Sequence, residues 1–133
     1  MKKILILGGG FSGVYTAKHL QKLKIKNYEI ELISDNNYFI FQPLLPEVAS
    51  GTIYSSDAVT PIRQMLKGIK YRNAEIENID FKEKKISILQ GFKKSSHKIP
   101  YDQLVIALGQ VSNLDIVKGM KDHAFTMLSL IHI

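Results

Sequence analysis

Residues 4 to 20 read ILILGGGFSGVYTAKHL. Ile4 to Leu7 are apolar without interruption, the pattern of a strand buried on both faces, as in a parallel sheet. Three consecutive glycines stop the run. Beyond them Gly13, Ala17 and Leu20 fall at i, i+4 and i+7, a narrow helical stripe whose first two members are small. Such a helix can lie close against a strand. YEIELIS, 28 to 34, predicts a second strand. The opening is therefore strand, glycine turn, helix, strand, the start of an α/β fold with a parallel sheet.

Gly8, Gly10 and Gly13 form G-x-G-x-x-G directly after the first strand and at the start of the helix. The three glycines act differently. Gly8 permits the tight turn, Gly10 lets a pyrophosphate approach the backbone, and Gly13 permits close helix packing. The helix N-terminus adds N–H donors and a partial positive charge. The competing reading is a glycine-rich turn that serves packing alone; the strand–turn–helix–strand setting favours a dinucleotide. An acidic residue at the end of the second strand would complete the pattern by accepting a hydrogen bond from a ribose. Here the chain reads Ser34, Asp35. Strand alternation puts Ser34 at the usual acidic position and Asp35 one step beyond. A carboxylate bonds more strongly than a hydroxyl, and the competing role for both is to cap the strand-to-loop turn.

NNYFIFQPLLPEVASGT, 36 to 52, is irregular and aromatic, with Pro46 placed to open a short helix that Gly51 closes. Thr60 and Pro61 predict a helix through Leu66, with Thr60 as N-cap and Pro61 as first helical residue. From Arg72 onward NAEIENIDF, KKISILQGF and YDQLVIALG predict successive strands, a β-meander, with a polar turn at Lys82 to Lys85 and a looser connection at Lys93 to Pro100.

Composition bounds the rest. The 133 residues suit one modest domain, and 45% hydrophobic with 23% charged residues is ordinary for a globular chain. No apolar run approaches the roughly 18 residues of a spanning helix, and no signal peptide precedes the first strand. The absence of cysteine excludes disulfides, thiolate metal sites and thiol redox chemistry within this sequence. The net charge of +6 comes with lysines scattered in pairs, as at Lys2 and Lys3 or Lys84 and Lys85. That pattern reads as a solvated basic surface and argues against nucleic acid. His19, His97, His123 and His132 lack metal-ligand spacing and read as surface or turn residues; no metal site is expected.

ILILGGGFSGVYTAKHL, NNYFIFQPLLPEVASGT, NAEIENID, YDQLVIALG and GMKDHAF, in this order and spacing, resemble the N-terminal part of type II NADH:quinone oxidoreductases, from residue 3 to about 127. FQPLLPEVASG is the most specific segment. The resemblance implies a Rossmann-like unit that binds FAD, in a family that passes electrons from NADH to quinone without pumping protons. It implies a peripheral enzyme on the cytoplasmic side of a bacterial membrane, compatible with a homodimer. Gly8, Gly9, Gly10, Phe11, Ser12 and Gly13 would hold the FAD pyrophosphate, and Ser34 and Asp35 would meet the adenosine ribose. Ile76 would face the adenine through its backbone, or serve simply as a core strand residue. Ala107, Leu108 and Gly109 match the small-residue strand end that the cofactor passes. Gln42 could offer an amide to the flavin, with Pro43, Leu44 and Leu45 as an apolar wall; the alternative is that Tyr38, Phe39, Phe41, Leu44 and Leu45 are only core. Members often carry threonine at the position of Leu108 and an acid at that of Ser34.

With no cysteine pair beside the flavin, what remains is hydride acceptance and electron release to a non-thiol acceptor, with the cofactor carrying the chemistry and no side chain here acting as nucleophile or base. In such a family the NADH site, the segment completing the FAD site and the amphipathic membrane-binding region come later in the chain. The last six residues, LSLIHI, resemble the translation of a transposase-end sequencing adapter. Residues 1–127 are therefore read as the N-terminal part of an FAD-binding domain, and 128–133 as a non-native tail. Exposed apolar surface then predicts marginal folding, weak FAD retention and an inactive fragment. Two other readings stay open: a related flavoprotein reductase serving a protein acceptor, and a non-catalytic nucleotide-binding module.

Overall fold

The computed structural model describes residues 1–92 and 94–126; the expectation for 128–133 lies outside them. In chain order the regular elements are β1 (Lys2–Leu7), α1 (Phe11–Leu23), β2 (Tyr28–Ser34), β3 (Tyr38–Ile40), α2 (Leu45–Ala49), β4 (Val59–Pro61), α3 (Ile62–Met65), β5 (Lys70–Asn73), β6 (Glu75–Asp80), β7 (Lys85–Gln90), β8 (Ser95–Pro100), β9 (Gln103–Ile106) and α4 (Met120–His123). The described residues divide into two compact units, 1–39 with 61–109, and 40–60 with 110–126.

The first unit carries a parallel sheet in the order β5-β2-β1-β9. β1 lies inside it, with Ile4 beside Ile30 of β2 and beside Gln103 of β9. A strand paired on both edges and covered on both faces must be apolar on both, and Ile4 to Leu7 are all buried. Alternation splits them. Ile4 and Ile6 pack with Val14 and Ala17 of α1 and with Leu32, Phe39, Ile62 and Leu66. Leu5 and Leu7 pack with Ile33, Ala74, Ile86, Ile88, Ile99 and Tyr101. The second cluster belongs to an antiparallel sheet, β6-β7-β8, in which Ile79 opposes Ile86 and Ile86 opposes Ile99. The unit is thus helix, parallel sheet and antiparallel sheet in layers, with α1 and the meander on opposite faces.

Three sequence expectations are corrected. The segment at 93–100, read as a loose connection, forms β8 over Ser95–Pro100; only its Ile99 is buried, so no apolar alternation marks it. YDQLVIALG does not continue the meander: β9 returns to the parallel sheet beside β1. Thr60 ends in β4, and Pro61 stands in extended backbone (ψ 127°) as N-cap of a short α3, with no side-chain cap. No sequence pattern anticipates β5, KYRN; it is four residues long and none is fully buried, too little for a periodicity to show.

One charged group sits inside this unit. Glu31 of β2 is fully buried, with Arg72 Nε at 2.7 Å and Lys3 Nζ at 3.1 Å, so that β1, β2 and β5 meet on one carboxylate. Arg72 also donates to Gln90 Oε1 at 3.1 Å, reaching β7. Burial pushes the Glu31 carboxyl upward, but hydrogen bonds from Arg72 and Lys3, with their charges, outweigh it and hold the group below its ordinary value. Removing the carboxylate leaves Lys3 and Arg72 facing each other in a partly dry setting, with Lys70, whose Nζ stands 4.0 Å from the carboxylate, nearby. Glu31→Ala is predicted to cost about 2 kcal/mol at neutral pH, below the full buried-pair penalty because Lys3 and Arg72 keep contact with water. Because the folded group titrates below the unfolded one, this contribution is complete above the ordinary glutamate range and fades as pH falls through the lowered value. Urea unfolding of both proteins across the acid range checks this: the gap between them should narrow toward low pH.

In the second unit, Gln42–Leu44 forms a single 3₁₀ turn that leads into α2. Pro46 stands in the first turn of α2, and Gly51 follows its end with φ 75°, in agreement with the expectation for this stretch. The Phe41 N–H donates to the Ala58 carbonyl at 2.8 Å, closing the loop between them. Leu45 and Ala58 are buried.

Candidate cofactor-binding site

The glycine turn follows the last buried residue of β1 and delivers the chain into α1. The Gly8 N–H donates to the Ile33 carbonyl and the Ala107 N–H to the Leu7 carbonyl, both at 2.8 Å. The ends of β2, β1 and β9 are thereby drawn level. Gly8 has φ 106°, and a Cβ there would overlap the Ala107 carbonyl oxygen. On Gly13 a Cβ would overlap the Gly8 carbonyl oxygen, with the Ala107 methyl 3.6 Å away. The first turn of α1 therefore presses directly on the end of β1, and only hydrogen fits at either position.

Gly10 is different. It is the N-cap of α1, in extended backbone (φ −82°, ψ −167°), and a Cβ built on it meets nothing within 4 Å. Among the described residues nothing requires glycine at this place. The open space lies over a helix start that has no side-chain cap and no acidic residue in its first turn. A 13-residue helix presents positive potential there. The backbone of residues 8–13 thus forms a cradle that an anionic group can approach at main-chain distance, and the residue types present fit a pyrophosphate.

Gly9 faces the end of β2: a Cβ on it would stand 2.6 Å from Ile62 Cδ1 and 2.7 Å from Ser34 Oγ. Ser34 is buried, and its hydroxyl is held in the local turn, 3.4 Å from Asp35 Oδ1 and 3.3 Å from the Asn36 N–H that donates to it. Asp35 is exposed. The carboxylate at this strand end is therefore the solvent-facing group, while the serine closes the space beneath Gly9.

Sequence reading misses the residues that fix this turn. Asn73 Nδ2 donates to the Asp35 carbonyl at 2.8 Å and to the Ser34 carbonyl at 3.2 Å, and the Tyr71 hydroxyl donates to the Asn36 carbonyl at 2.8 Å. The Arg63 guanidinium lies 5.4 Å from the centre of the Tyr71 ring. Burial raises the Tyr71 hydroxyl above its ordinary value, partly offset by the Asn73 hydrogen bond and the Arg63 charge. The only signal is a polar Tyr-x-Asn in a short strand, which no periodicity singles out.

The other sequence-derived residues fall as follows. Ala107, Leu108 and Gly109 continue from β9 beside the glycine turn, with Leu108 half exposed and Gly109 at φ 76°. Ile76 lies in β6, an edge strand, and its side chain packs on the second core cluster. Both roles expected of it are compatible with this place. Gln42 and Pro43 are exposed and Leu44 is half buried in the second unit, while Phe39 and Leu45 are buried as core. His19, His97 and His123 are exposed, and His132 lies outside the described residues. Among the described residues no cluster of three or more metal-ligating side chains exists.

Parallel strands joined through a glycine turn to a helix that opens at their carboxyl ends define an α/β unit of the Rossmann type. The chain belongs to the pyridine nucleotide-disulphide oxidoreductase family, whose profile matches residues 2–132. It is 36% identical over 133 residues to the external alternative NAD(P)H-ubiquinone oxidoreductase B4, mitochondrial, of Arabidopsis thaliana, covering 93% of this chain and 22% of that protein. To a type II NADH:quinone oxidoreductase of Staphylococcus aureus it is 37% identical, covering 98% of this chain and 32% of that protein. Among solved structures, NDH2 from Plasmodium falciparum superposes with a TM-score of 0.78 at 32% identity, over 91% of this chain and 25% of that one. The sulfide:quinone oxidoreductase of Aquifex aeolicus superposes with a TM-score of 0.83 at 30% identity, over 99% and 30%. The resemblance read from the sequence is borne out; the chain spans under a third of the length of these relatives.

Two substitutions separate packing from access. Gly13→Ala should cost about 3 kcal/mol, since the new methyl meets backbone that cannot yield. Gly10→Ala should cost less than about 1 kcal/mol, the difference between glycine and alanine at an N-cap. Chemical denaturation of both variants checks the contrast.

Proposed function

We propose that this chain is the N-terminal FAD-binding portion of an NADH:quinone oxidoreductase. In that enzyme a hydride passes from NADH to FAD and electrons pass on to quinone. The observation that carries the reading is the cradle at residues 8–13, where Gly10 is open to a ligand while Gly8 and Gly13 are closed by packing. The names of the Arabidopsis and Staphylococcus relatives, both quinone oxidoreductases, support the choice of acceptor.

In this reading the backbone of Gly8, Gly9, Gly10, Phe11, Ser12 and Gly13 holds the pyrophosphate. Asp35 accepts a ribose hydroxyl, with Ser34 supporting the turn, and Ile76 offers its backbone to the adenine. Ala107, Leu108 and Gly109 border the cofactor, and Gln42, Pro43 and Leu44 serve the flavin ring. The flavin supplies the hydride and electron chemistry when bound; the protein orients it and keeps water from it. The absence of cysteine favours a non-thiol acceptor over the thiol chemistry of sulfide- or disulfide-processing relatives. The NADH site and the membrane-binding region belong to a later segment in this reading, and the location is the cytoplasmic face of a bacterial membrane. No helix of the described residues is long and apolar enough to cross a membrane.

FAD titrated into the 133-residue chain should show saturable quenching of flavin fluorescence, competed by ADP but not by riboflavin. Gly10→Ala should weaken this binding by about 1.4 kcal/mol or more, tenfold in affinity, with stability nearly unchanged. Saturable binding of riboflavin equal to that of FAD would contradict the pyrophosphate cradle.

A further inference from the structure

The turn that carries Asp35 has little to hold it from within. Residues 34–37 lead from β2 toward β3, and only Ser34 among them is buried. Exposed polar chain of this kind samples many conformations unless its backbone groups are engaged. Here all four carbonyls are engaged from outside the turn. The Ser34 carbonyl accepts the Ala74 N–H at 2.9 Å and Asn73 Nδ2 at 3.2 Å. The Asp35 carbonyl accepts Asn73 Nδ2 at 2.8 Å, and the Asn36 carbonyl accepts the Tyr71 hydroxyl at 2.8 Å. The Asn37 carbonyl accepts the Ile62 N–H at 3.0 Å. Asn73 Nδ2 also lies 3.2 Å from the Tyr71 oxygen, so that amide and hydroxyl form one hydrogen-bonded chain from β5 to the turn.

The Asp35 side chain is left with one unused acceptor. Its Oδ1 accepts the Ser34 hydroxyl at 3.4 Å and Asn36 Nδ2 at 3.1 Å. Among the described residues Oδ2 has no hydrogen-bond partner, and Asp35 is exposed. An ionised carboxylate only accepts, so this oxygen selects a donor such as a ribose hydroxyl.

Resting on the reading of Asp35 as ribose acceptor in the FAD site, we infer that Asn73 is the positioning residue that makes the acceptor selective. By holding the Ser34 and Asp35 carbonyls it directs the free carboxylate oxygen toward the ribose hydroxyls, and Tyr71 is the second clasp, on Asn36. Asn73 acts through Asp35 and need not touch the nucleotide. It is itself exposed, so truncating it opens no cavity and changes direction rather than packing. If Asn73 only joined β5 to β2, it would stabilise the unit without favouring one nucleotide over another.

Calorimetric titration of the 133-residue chain with ADP and with 2′,3′-dideoxy-ADP tests the assignment. Both ligands carry adenine and a diphosphate, and only ADP carries the ribose hydroxyls. The unsubstituted chain should prefer ADP roughly tenfold, and Asp35→Ala should reduce the preference to about twofold or less. Asn73→Ala should reduce it as far, with the affinity for dideoxy-ADP held within about twofold. In the Asp35→Ala background Asn73→Ala should weaken ADP no further, because two residues acting through one contact are not additive. Tyr71→Phe removes a single exposed hydrogen bond, keeps the fold, and should lower the preference to roughly threefold. An ADP preference that survives Asn73→Ala, a parallel loss of both ligands, or an equal further loss in the Asp35→Ala background would overturn the assignment and leave the pyrophosphate cradle standing. Failure of both ligands to bind the unsubstituted chain would overturn the cradle and the assignment together.

Discussion

The contact on which the structure depends is the one between the first turn of α1 and the end of β1. A hydrogen at Gly13 faces the Gly8 carbonyl, and a hydrogen at Gly8 faces the Ala107 carbonyl. With a side chain at Gly8 the chain at Ala107, after β9, would have to move away, and with one at Gly13 the helix would have to lift from the sheet. Val14 and Ala17 would then lose their burial against Ile4 and Ile6, and the helix start would no longer stand over the strand ends. Packing and binding are therefore linked through the same few atoms: the approach that buries the core also aims an uncapped helix N-terminus at open space.

The second face of the sheet supports this arrangement. Leu5, Leu7 and Ile33 rest on the meander, so the strand ends are held level from below while α1 covers them above. Glu31 sits on that lower side with Lys3 and Arg72, joining three strands through charge rather than apolar contact. A buried carboxylate is weak evidence for net stability, since desolvation opposes the attraction. Its effect here is on registry: β1, β2 and β5 are fixed relative to one another, and β5 in turn supplies Tyr71 and Asn73 to the turn at Ser34 to Asn36.

What is legible in the sequence follows from these layers. Ile4 to Leu7 declare a doubly covered strand because both faces of it are apolar, and the three glycines declare the turn because steric exclusion leaves no other residue for two of them. The helix stripe of Gly13 and Ala17 is visible for the same reason. β5 is hidden because it is only four residues long, and β8 because it buries Ile99 alone, so that neither shows a periodicity. YDQLVIALG shows itself as a strand, but its partner does not show, because register against β1 is set by the crossover and not by its own residues. The exposed state of Asp35 and the buried state of Ser34 are equally out of reach: they depend on Asn73, 38 residues away.

The most direct test of the central claim, that the glycine turn is a pyrophosphate cradle built by close packing, is a titration of FAD followed by amide chemical shifts. Saturable shifts are predicted at Gly8 to Gly13 and at Asp35, with the far end of the sheet around Lys24 to Asn27 and the β6–β7 turn at Lys82 to Lys85 unmoved. Shifts centred elsewhere, with the amides of Gly9, Gly10 and Ser12 unchanged at saturation, would contradict it.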